Sequence, residues 1–242
     1  MRSSILAALT LTLAACSSST PTTSGPAQDP GLQGGQQPTG HDVNPYGVAY
    51  PSQSIGTSAR SINVAGNQIK NFKFLGYPNG DYSKGLQTIA LSDYFDPQGK
   101  LDPAGASPSG PGIKLIYMSA ASVWCGPCNQ ETDAITMLKS QLQAKGVAFL
   151  QALNEGPTPG IGSNPTDLQN WILKHHSTFN EVLDVENANL APFYNEAAVP
   201  WSGQVDARSM EILSDGVGWS GDLAGDVQMN LEWISANPPS YK

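Results

Sequence analysis

Two cysteines, Cys125 and Cys128, are separated by Gly126 and Pro127 and preceded by Trp124. Thiols three positions apart can close a disulfide within one turn of backbone. If a helix begins at this turn, its unpaired N–H groups and its dipole favour a thiolate at the first sulfur. A thiolate attacks disulfides far faster than a thiol does, so the spacing predicts thiol–disulfide exchange. Gly126 leaves the turn without a side chain, and Pro127 suits a first helical turn because it lacks an N–H.

The composition disfavours several other classes of function. The chain of 242 residues carries 12 basic and 20 acidic side chains, a net charge of −8. This acidic balance disfavours nucleic acid and anionic lipid headgroups as partners. Three cysteines are too few for a disulfide scaffold, and one Cys-x-x-Cys pair lacks the four ligands of a structural zinc site. We therefore expect no metal and no cofactor beyond a redox-active disulfide, and we expect a monomer.

The first 15 residues have the pattern of a secretory signal peptide. Arg2 precedes an apolar run over residues 5–15, which is too short to cross a membrane as a helix. The run ends in a Leu-Ala-Ala-Cys sequence at Cys16 that resembles a bacterial lipobox, which implies cleavage before Cys16 and diacylglycerol on its sulfur. Ser17 in place of an aspartate favours the outer membrane. The alternative is an ordinary signal peptide followed by a cysteine with no such role.

Residues 16–58 are rich in Ser, Thr, Gly, Pro and Gln and show no hydrophobic periodicity. This composition predicts a disordered, solvated tether with a reach of roughly 35 Å. We expect the folded domain over residues 59–242. Export would place this domain where disulfides persist, because the cytoplasm keeps thiols reduced.

The sequence around the cysteines alternates between strand and helix patterns. Compact apolar runs predict buried strands before and after the cysteine helix, and amphipathic patterns predict further helices. In chain order we expect a strand at 71–75, a helical turn at 91–95, a strand at 113–118, a helix at 125–144, a strand at 147–153, a helix at 167–175, a hairpin at 201–213 and a helix at 222–236. This order predicts an α/β fold with a central mixed sheet flanked by helices.

This order of elements, with Trp-Cys-Gly-Pro-Cys opening a helix, resembles the thioredoxin fold. The lipobox at Cys16 and the acidic Glu131, three residues after Cys128, are similar to TlpA/ResA-like membrane-anchored thioredoxins with an N-terminal extension. The resemblance covers residues 62–242 and is specific at the motif. It implies an extracytoplasmic thiol–disulfide oxidoreductase with protein dithiols or disulfides as substrates, recharged by a membrane electron carrier.

The resemblance also implies a role for each residue of the site. Cys125 would be the nucleophile that forms a mixed disulfide, and Cys128 the more buried thiol that resolves it, while Trp124 shields the pair. Val199 and Pro200 match the family's cis-proline position, where the turned-out backbone pairs with a substrate strand. The alternative is an ordinary trans proline at the start of a strand.

One position departs from the pattern of thioredoxin. The buried aspartate that serves the resolving thiol there is replaced by Ser119, which cannot act as a base at neutral pH. Glu131 lies one helical turn after Cys128 and offers a substitute proton acceptor. The competing interpretation is an exposed glutamate on the helix surface.

The central Gly-Pro pair accompanies a reduction potential of about −270 mV in thioredoxin, which favours a role as a reductant.

Three other functions stay open. A peroxiredoxin-like thiol peroxidase would need a hydroxyl and an arginine near the cysteine, for which Ser122 and Arg208 are weak candidates. A non-enzymatic copper-delivery module would use thiolates for copper(I). A surface-adhesion lipoprotein would carry the cysteine pair as a vestige.

Overall fold

A computed structural model of the chain describes residues 38–51, 56–105, 108–195 and 198–240. The described residues do not include the predicted signal peptide (1–15), the predicted lipidation site Cys16 or the predicted tether up to residue 37. Within the described ranges, no helix combines the length and the apolar character that crossing a bilayer requires.

A mixed sheet of seven strands forms the centre of the domain, in the order β2-β1-β5-β4-β3-β6-β7. The two pairings among β5, β4 and β3 are parallel, and the other four pairings are antiparallel. In chain order the strands are β1 (Lys73–Tyr77), β2 (Gln87–Ala90), β3 (Leu115–Ser122), β4 (Val147–Glu155), β5 (Asn180–Leu183), β6 (Trp201–Asp206) and β7 (Glu211–Val217).

Three α-helices follow β3, β4 and β7: α1 (Gly126–Gln143), α2 (Pro165–His175) and α3 (Leu223–Ala236). All eight residues of β3 and all nine of β4 are buried, because central parallel strands are covered on both faces. This explains why most residues of both strands are apolar rather than alternating with polar ones. The strands β2 and β5 were not predicted, since each has only four residues and β5 begins with the polar pair Asn180 and Glu181.

Alternation along β3 separates two apolar cores. Leu115 and Tyr117 pack with residues of α1 and α3, whereas Ile116 and Met118 pack on the opposite face. The opposite face is covered by irregular chain and by the 3₁₀ turn Leu91–Tyr94, which confirms the predicted helical turn at 91–95. The predicted α/β fold with a mixed sheet and flanking helices is therefore confirmed.

The buried side of α1 differs from the expected one. Met137, which the amphipathic pattern placed on the apolar face, is 78% exposed. It lies two residues beyond the buried Ile135, which rotates it to the opposite side of the helix. The buried residues of α1 are Cys128, Glu131, Thr132, Ile135 and Leu142.

Residues 38–51 lie within the predicted tether, yet they contact the domain. The Asn44 side chain is buried, and its Nδ2 donates to the Phe95 carbonyl oxygen at 2.9 Å. Tyr50 stacks edge-on against Phe95 and donates its hydroxyl to the Ile69 carbonyl at 2.8 Å. The tether prediction therefore needs a correction over 38–51, because one buried amide and one tyrosine bind this segment without an apolar repeat.

The segment that follows protects an edge of the sheet. Arg60 N donates to the Ile212 carbonyl at 3.0 Å, and Ile212 N donates to the Asn67 carbonyl at 2.8 Å. The Arg60 guanidinium lies 3.1 Å from the buried carboxylate of Glu211. The start of the β7 edge, at Glu211 and Ile212, is therefore paired by the chain itself, which protects that part of the edge from edge-to-edge association.

Replacing Asn44 by alanine tests whether residues 38–51 stabilise the domain. Its Oδ1 accepts hydrogen bonds from Tyr46 N and Val48 N, so the change leaves those donors and the Phe95 carbonyl without partners. We expect Asn44→Ala to lower the free energy of unfolding by about 2 kcal/mol in urea denaturation. Val43→Ala, at a half-exposed neighbouring position, should change it by less than about 0.5 kcal/mol. Equal effects of the two substitutions would contradict the packing of this segment.

Candidate active site

The two cysteines of the motif form a disulfide at the N-terminus of α1. Cys125 is the N-cap residue, with extended backbone, and its Sγ accepts a hydrogen bond from Cys128 N at 3.1 Å. The predicted helix start is therefore confirmed, with Gly126 and Pro127 as its first two residues. In the reduced protein the same N–H and the helix dipole would stabilise a thiolate at Cys125.

Both cysteines of the disulfide are buried. Cys128 is 0% exposed and Cys125 only 2%. The cause is the backbone facing the disulfide, since the Val199 carbonyl oxygen lies 3.6 Å from Cys125 Sγ. Gly126 and Pro127 are exposed and Val199 is half-buried, so the disulfide lies directly beneath a surface rim.

The peptide bond between Val199 and Pro200 is cis, as predicted. Strand pairing brings it to the disulfide: Ala120 on β3 pairs with Trp201 on β6, so the residues before β6 lie next to those after β3. The Pro200 carbonyl accepts a hydrogen bond from Gly218 N at 2.7 Å, which ties this segment to the end of β7. The sheet therefore fixes the Val199 backbone beside Cys125.

Trp124 forms part of the rim and is 38% exposed. Its Nε1 donates to Oε2 of Glu155, the last residue of β4, and Val123 N donates to the Glu155 carbonyl at 3.1 Å. Glu155 therefore holds both the backbone and the indole ring before Cys125. This contact could not be predicted from the sequence, because Glu155 lies 31 residues away on another strand.

Glu131 is buried, which overturns the interpretation of an exposed helix glutamate. The Tyr117 hydroxyl donates to Glu131 Oε1 at 2.7 Å. Burial raises the pKa of Glu131 to about 8, while hydrogen bonds from Tyr117 and Ser119 oppose part of that rise. Among the described residues, Oε2 of Glu131 has no hydrogen-bond partner. Ser119, at the position of the thioredoxin aspartate, thus faces a carboxyl group supplied by the helix.

A layer of buried polar side chains continues beneath the first turns of α1. Gln151 Nε2 donates to Ser119 Oγ at 2.8 Å, and Gln151 Oε1 accepts from Trp171 Nε1 at 3.0 Å. The Thr132 hydroxyl lies 3.0 Å from the same Oε1 and 2.8 Å from the Cys128 carbonyl oxygen, and its one proton serves either acceptor. Gln151 therefore connects β3, α1 and α2 directly under Cys128.

A second polar group supports the start of α1 from its outer side. Asn129 Nδ2 donates to the Cys125 carbonyl at 2.6 Å, and Asn129 Oδ1 lies 3.1 Å from Nε2 of the buried His175. Nδ1 of His175 lies 2.7 Å from an oxygen of Asp133. Burial lowers the pKa of His175, and Asp133 opposes that shift.

The two residues proposed for a thiol peroxidase are not both available to the disulfide: Ser122 lies next to it, with its carbonyl accepting from Cys125 N at 3.0 Å, whereas Arg208 is remote. The Ser122 hydroxyl donates to Asn154 Oδ1 at 2.7 Å, and Arg208 forms hydrogen bonds with the Asp206 carboxylate, the shortest of them 2.7 Å. Arg208 follows the far end of β6, roughly 20 Å along the strand from Pro200. In the described part of the chain, no three His, Cys, Asp or Glu side chains are grouped as a metal site requires.

No protein-family model and no curated protein sequence matches the chain. Among solved structures it is similar to a secreted thiol-disulfide isomerase from Corynebacterium glutamicum, with a TM-score of 0.52 and 13% identity over 77% of this chain and 95% of that one. A candidate protein disulfide isomerase from Bacteroides thetaiotaomicron gives a TM-score of 0.50 and 15% identity over 74% and 94%. The fold is therefore thioredoxin-like, as predicted.

The raised pKa of Glu131 predicts a specific dependence of stability on pH. The folded protein holds this proton up to a pH of about 8, whereas the unfolded chain releases it near pH 4.5. The contribution of the protonated Glu131 to the free energy of unfolding is therefore complete below pH 4.5 and is lost as the pH rises through 8. Glu131→Gln should therefore reduce the loss of unfolding free energy between pH 5 and 9 by on the order of 4 kcal/mol. Urea denaturation of the oxidised protein at each pH measures this loss.

The exposed glutamate Glu232 on α3 provides the matched control. Glu232→Gln should leave the pH dependence of unfolding as it is in the unsubstituted protein. If Glu131→Gln behaves in the same way, the carboxyl group of Glu131 is ionised at neutral pH and the argument from burial fails.

Proposed function

We propose that this protein is a thiol–disulfide oxidoreductase that acts on protein disulfides through Cys125 and Cys128. The observation that carries the proposal is the position of the disulfide. It caps α1 beside the cis Val199–Pro200 bond and lies above a buried carboxyl group. A structural bridge would need neither a helix terminus that stabilises a thiolate nor a proton acceptor beneath it.

The reaction begins from the reduced protein. The Cys125 thiolate attacks one sulfur of a substrate disulfide, a new S–S bond forms, and the other substrate sulfur leaves as a thiolate that takes a proton from water. Cys128 then transfers its proton to the ionised form of Glu131, which a pKa of about 8 leaves as a minor fraction at neutral pH, and attacks Cys125 Sγ. The substrate leaves as its second thiolate, and the Cys125–Cys128 disulfide closes. Two electrons pass from the protein to the substrate.

Glu131 suits this role because burial holds its pKa at about 8, close to that of a thiol. Its position one turn after Cys128 on the same buried side of α1 supports direct proton transfer. The half-buried Val199 backbone beside Cys125 supports docking of an extended substrate segment, and Trp124 and Pro127 complete the rim. Because Cys125 is 2% exposed, a substrate must displace part of this rim to reach the sulfur.

The sequence supports the cellular setting that we propose. A signal peptide over residues 1–15 and a lipobox at Cys16 favour export and lipid anchoring, and Ser17 favours the outer membrane. There the protein would work as a monomer, facing the periplasm or the cell exterior, and a membrane electron carrier would recharge it. The Gly126–Pro127 pair favours a reductant over an oxidant.

The alternatives have less support. A thiol peroxidase needs a cation close to the attacking sulfur, whereas Arg208 is bound to Asp206 and Arg60 to Glu211. A copper-delivery module would need a ligand beside the two thiolates, and none of the three histidines is placed to give one. His175 is bound to Asp133 and Asn129, His41 is bound to Asp93, and His176 is the exposed C-cap residue of α2. Both sets of contacts favour thiol–disulfide exchange.

Reduction of insulin disulfides by the full chain with dithiothreitol tests the proposed activity. Cys125→Ala should reduce the rate to background, a loss of at least about 100-fold, because no thiolate remains at the helix terminus. Cys128→Ala should accumulate mixed disulfides with added protein substrates, visible by non-reducing electrophoresis. Cys16→Ala removes the third cysteine and should leave the rate unchanged. Equal activity of the Cys125→Ala and unsubstituted proteins would contradict the proposal.

The reduction potential tests the direction of electron flow separately. We expect equilibrium with glutathione or dithiothreitol buffers to give a value between about −200 and −300 mV, as for reducing thioredoxins. Mass spectrometry after alkylation measures the oxidised fraction at each buffer ratio. A potential above about −150 mV would show an oxidant while leaving thiol–disulfide exchange intact.

A further inference from the structure

Glu131 has no contact with solvent, so a proton that it accepts needs a separate route out of the protein. Its carboxyl group lies between α1 and the sheet, and the Tyr117 hydroxyl donates to Oε1 at 2.7 Å. Tyr117 is itself buried, on β3, with its ring 5.9 Å from that of Phe149 on β4. On that side the surroundings are apolar, so a proton can leave the tyrosine only in another direction.

The other side of Tyr117 borders a cavity of about 260 Å³. The cavity opens to solvent past the exposed residues Gly216 and Gly218 at the end of β7. A water molecule occupies about 30 Å³ of liquid, so the space holds several waters with polar partners. Glu131 does not line it. The polar residues that line the cavity with Tyr117 are Ser202, Gln204, Ser214, Asp215, Ser220 and Asp226.

The groups facing Tyr117 and Glu131 favour movement of a proton towards this cavity. Ser202 on β6 is hydrogen-bonded to the Tyr117 hydroxyl, and Asp226 on α3 raises the pKa of both Tyr117 and Glu131 through its negative charge. The Ser220 hydroxyl, 2.5 Å from Oδ2, holds the Asp226 carboxylate in place. Asp215 adds a second carboxylate to the cavity, and burial raises its pKa. A negative potential at the mouth attracts the proton outward.

We propose that Tyr117 is a positioning residue that passes protons between Glu131 and water in the cavity lined by Ser202 and Asp226. The Tyr117 O–H turns from Glu131 Oε1 to a cavity water. The O–H bond of the protonated Glu131 then breaks as its proton binds Tyr117 Oη, and the original Tyr117 proton passes to that water. No electrons are transferred, and Tyr117 stays neutral because it gains one proton and gives one. Burial raises the pKa of Tyr117 well above 10, which disfavours a free tyrosinate in this step.

The inference rests on the proposed function, in which Glu131 receives the Cys128 proton, and Tyr117→Phe tests it. Phenylalanine keeps the ring packing on Phe149 and removes only the hydroxyl. We expect the mixed disulfide of this variant to resolve about 10-fold more slowly than in the unsubstituted protein. Stopped-flow fluorescence of Trp124 measures the rate of resolution. Added imidazole, which can carry protons through the cavity, should restore the rate in proportion to its concentration. Alkylation of reduced Cys125 by iodoacetamide should change less than about two-fold.

Two further variants make the outcome decisive. Tyr94→Phe removes another buried tyrosine hydroxyl, hydrogen-bonded to Asn180 on the opposite face of the sheet, and should resolve the mixed disulfide at the normal rate. Ser202→Ala interrupts the same route from the cavity side, so it tests the relay if Tyr117→Phe does not fold. Resolution within about two-fold of normal and insensitive to imidazole, in Tyr117→Phe or Ser202→Ala, would overturn the relay.

A readout without substrate separates this inference from the proposed function. After a pH jump, the carboxyl band of Glu131 in the infrared spectrum, assigned by its loss in Glu131→Gln, reports how fast the proton leaves. Tyr117→Phe should slow this step about 10-fold. A slowed step in a protein without exchange activity would support the relay while refuting the oxidoreductase. Unchanged proton release in an active enzyme would refute the relay alone.

Discussion

The pairing of β3 with β4 on one side and β6 on the other determines where the chemistry can take place. Both partners hold β3 along most of its length, so its end, and the helix that begins there, have a fixed position. The β6 pairing also brings Val199, 74 residues further along the chain, to within 3.6 Å of Cys125 Sγ. Strands and a helix, rather than a mobile loop, therefore position the disulfide, its neighbouring backbone and the carboxyl group beneath it. This suits a site in which a substrate must reach one sulfur while the other stays protected.

The buried polar side chains under α1 differ in how much folding free energy their burial costs. Ser119, Gln151, Thr132 and Trp171 satisfy one another, so their burial loses little hydrogen bonding. Glu131 is different, because its proton must stay bound for the folded state to reach full stability. A residue retained at such a position reduces stability at high pH, and a gain in function offsets that cost. We infer that the gain is a proton acceptor with a pKa matched to a thiol.

Much of the site could be predicted from sequence because its determinants are local. The Cys-Gly-Pro-Cys spacing and the helix that follows are set within one turn, and the buried strands are visible as apolar runs. The resemblance to the TlpA/ResA-like family located the cis bond at Val199–Pro200. The contacts of Trp124 with Glu155 and of Asn129 with His175 could not be predicted, because they join residues whose distance in space depends on tertiary packing. For the same reason the sequence left open whether Glu131 is buried or exposed.

A second buried glutamate shows why burial alone does not make a proton acceptor. Glu181 on β5 is as deeply buried as Glu131, and burial raises its pKa well above its usual value. Among the described residues neither of its carboxyl oxygens has a hydrogen-bond partner, and β4 and β3 separate β5 from the cavity at β6 and β7. Glu131 instead accepts a hydrogen bond from the hydroxyl of Tyr117, a residue that lines that cavity. The difference between the two carboxyl groups is therefore access to water. A carboxyl group that takes a proton once per turnover must also release it, and only Glu131 is hydrogen-bonded to a hydroxyl that lines this water-accessible space.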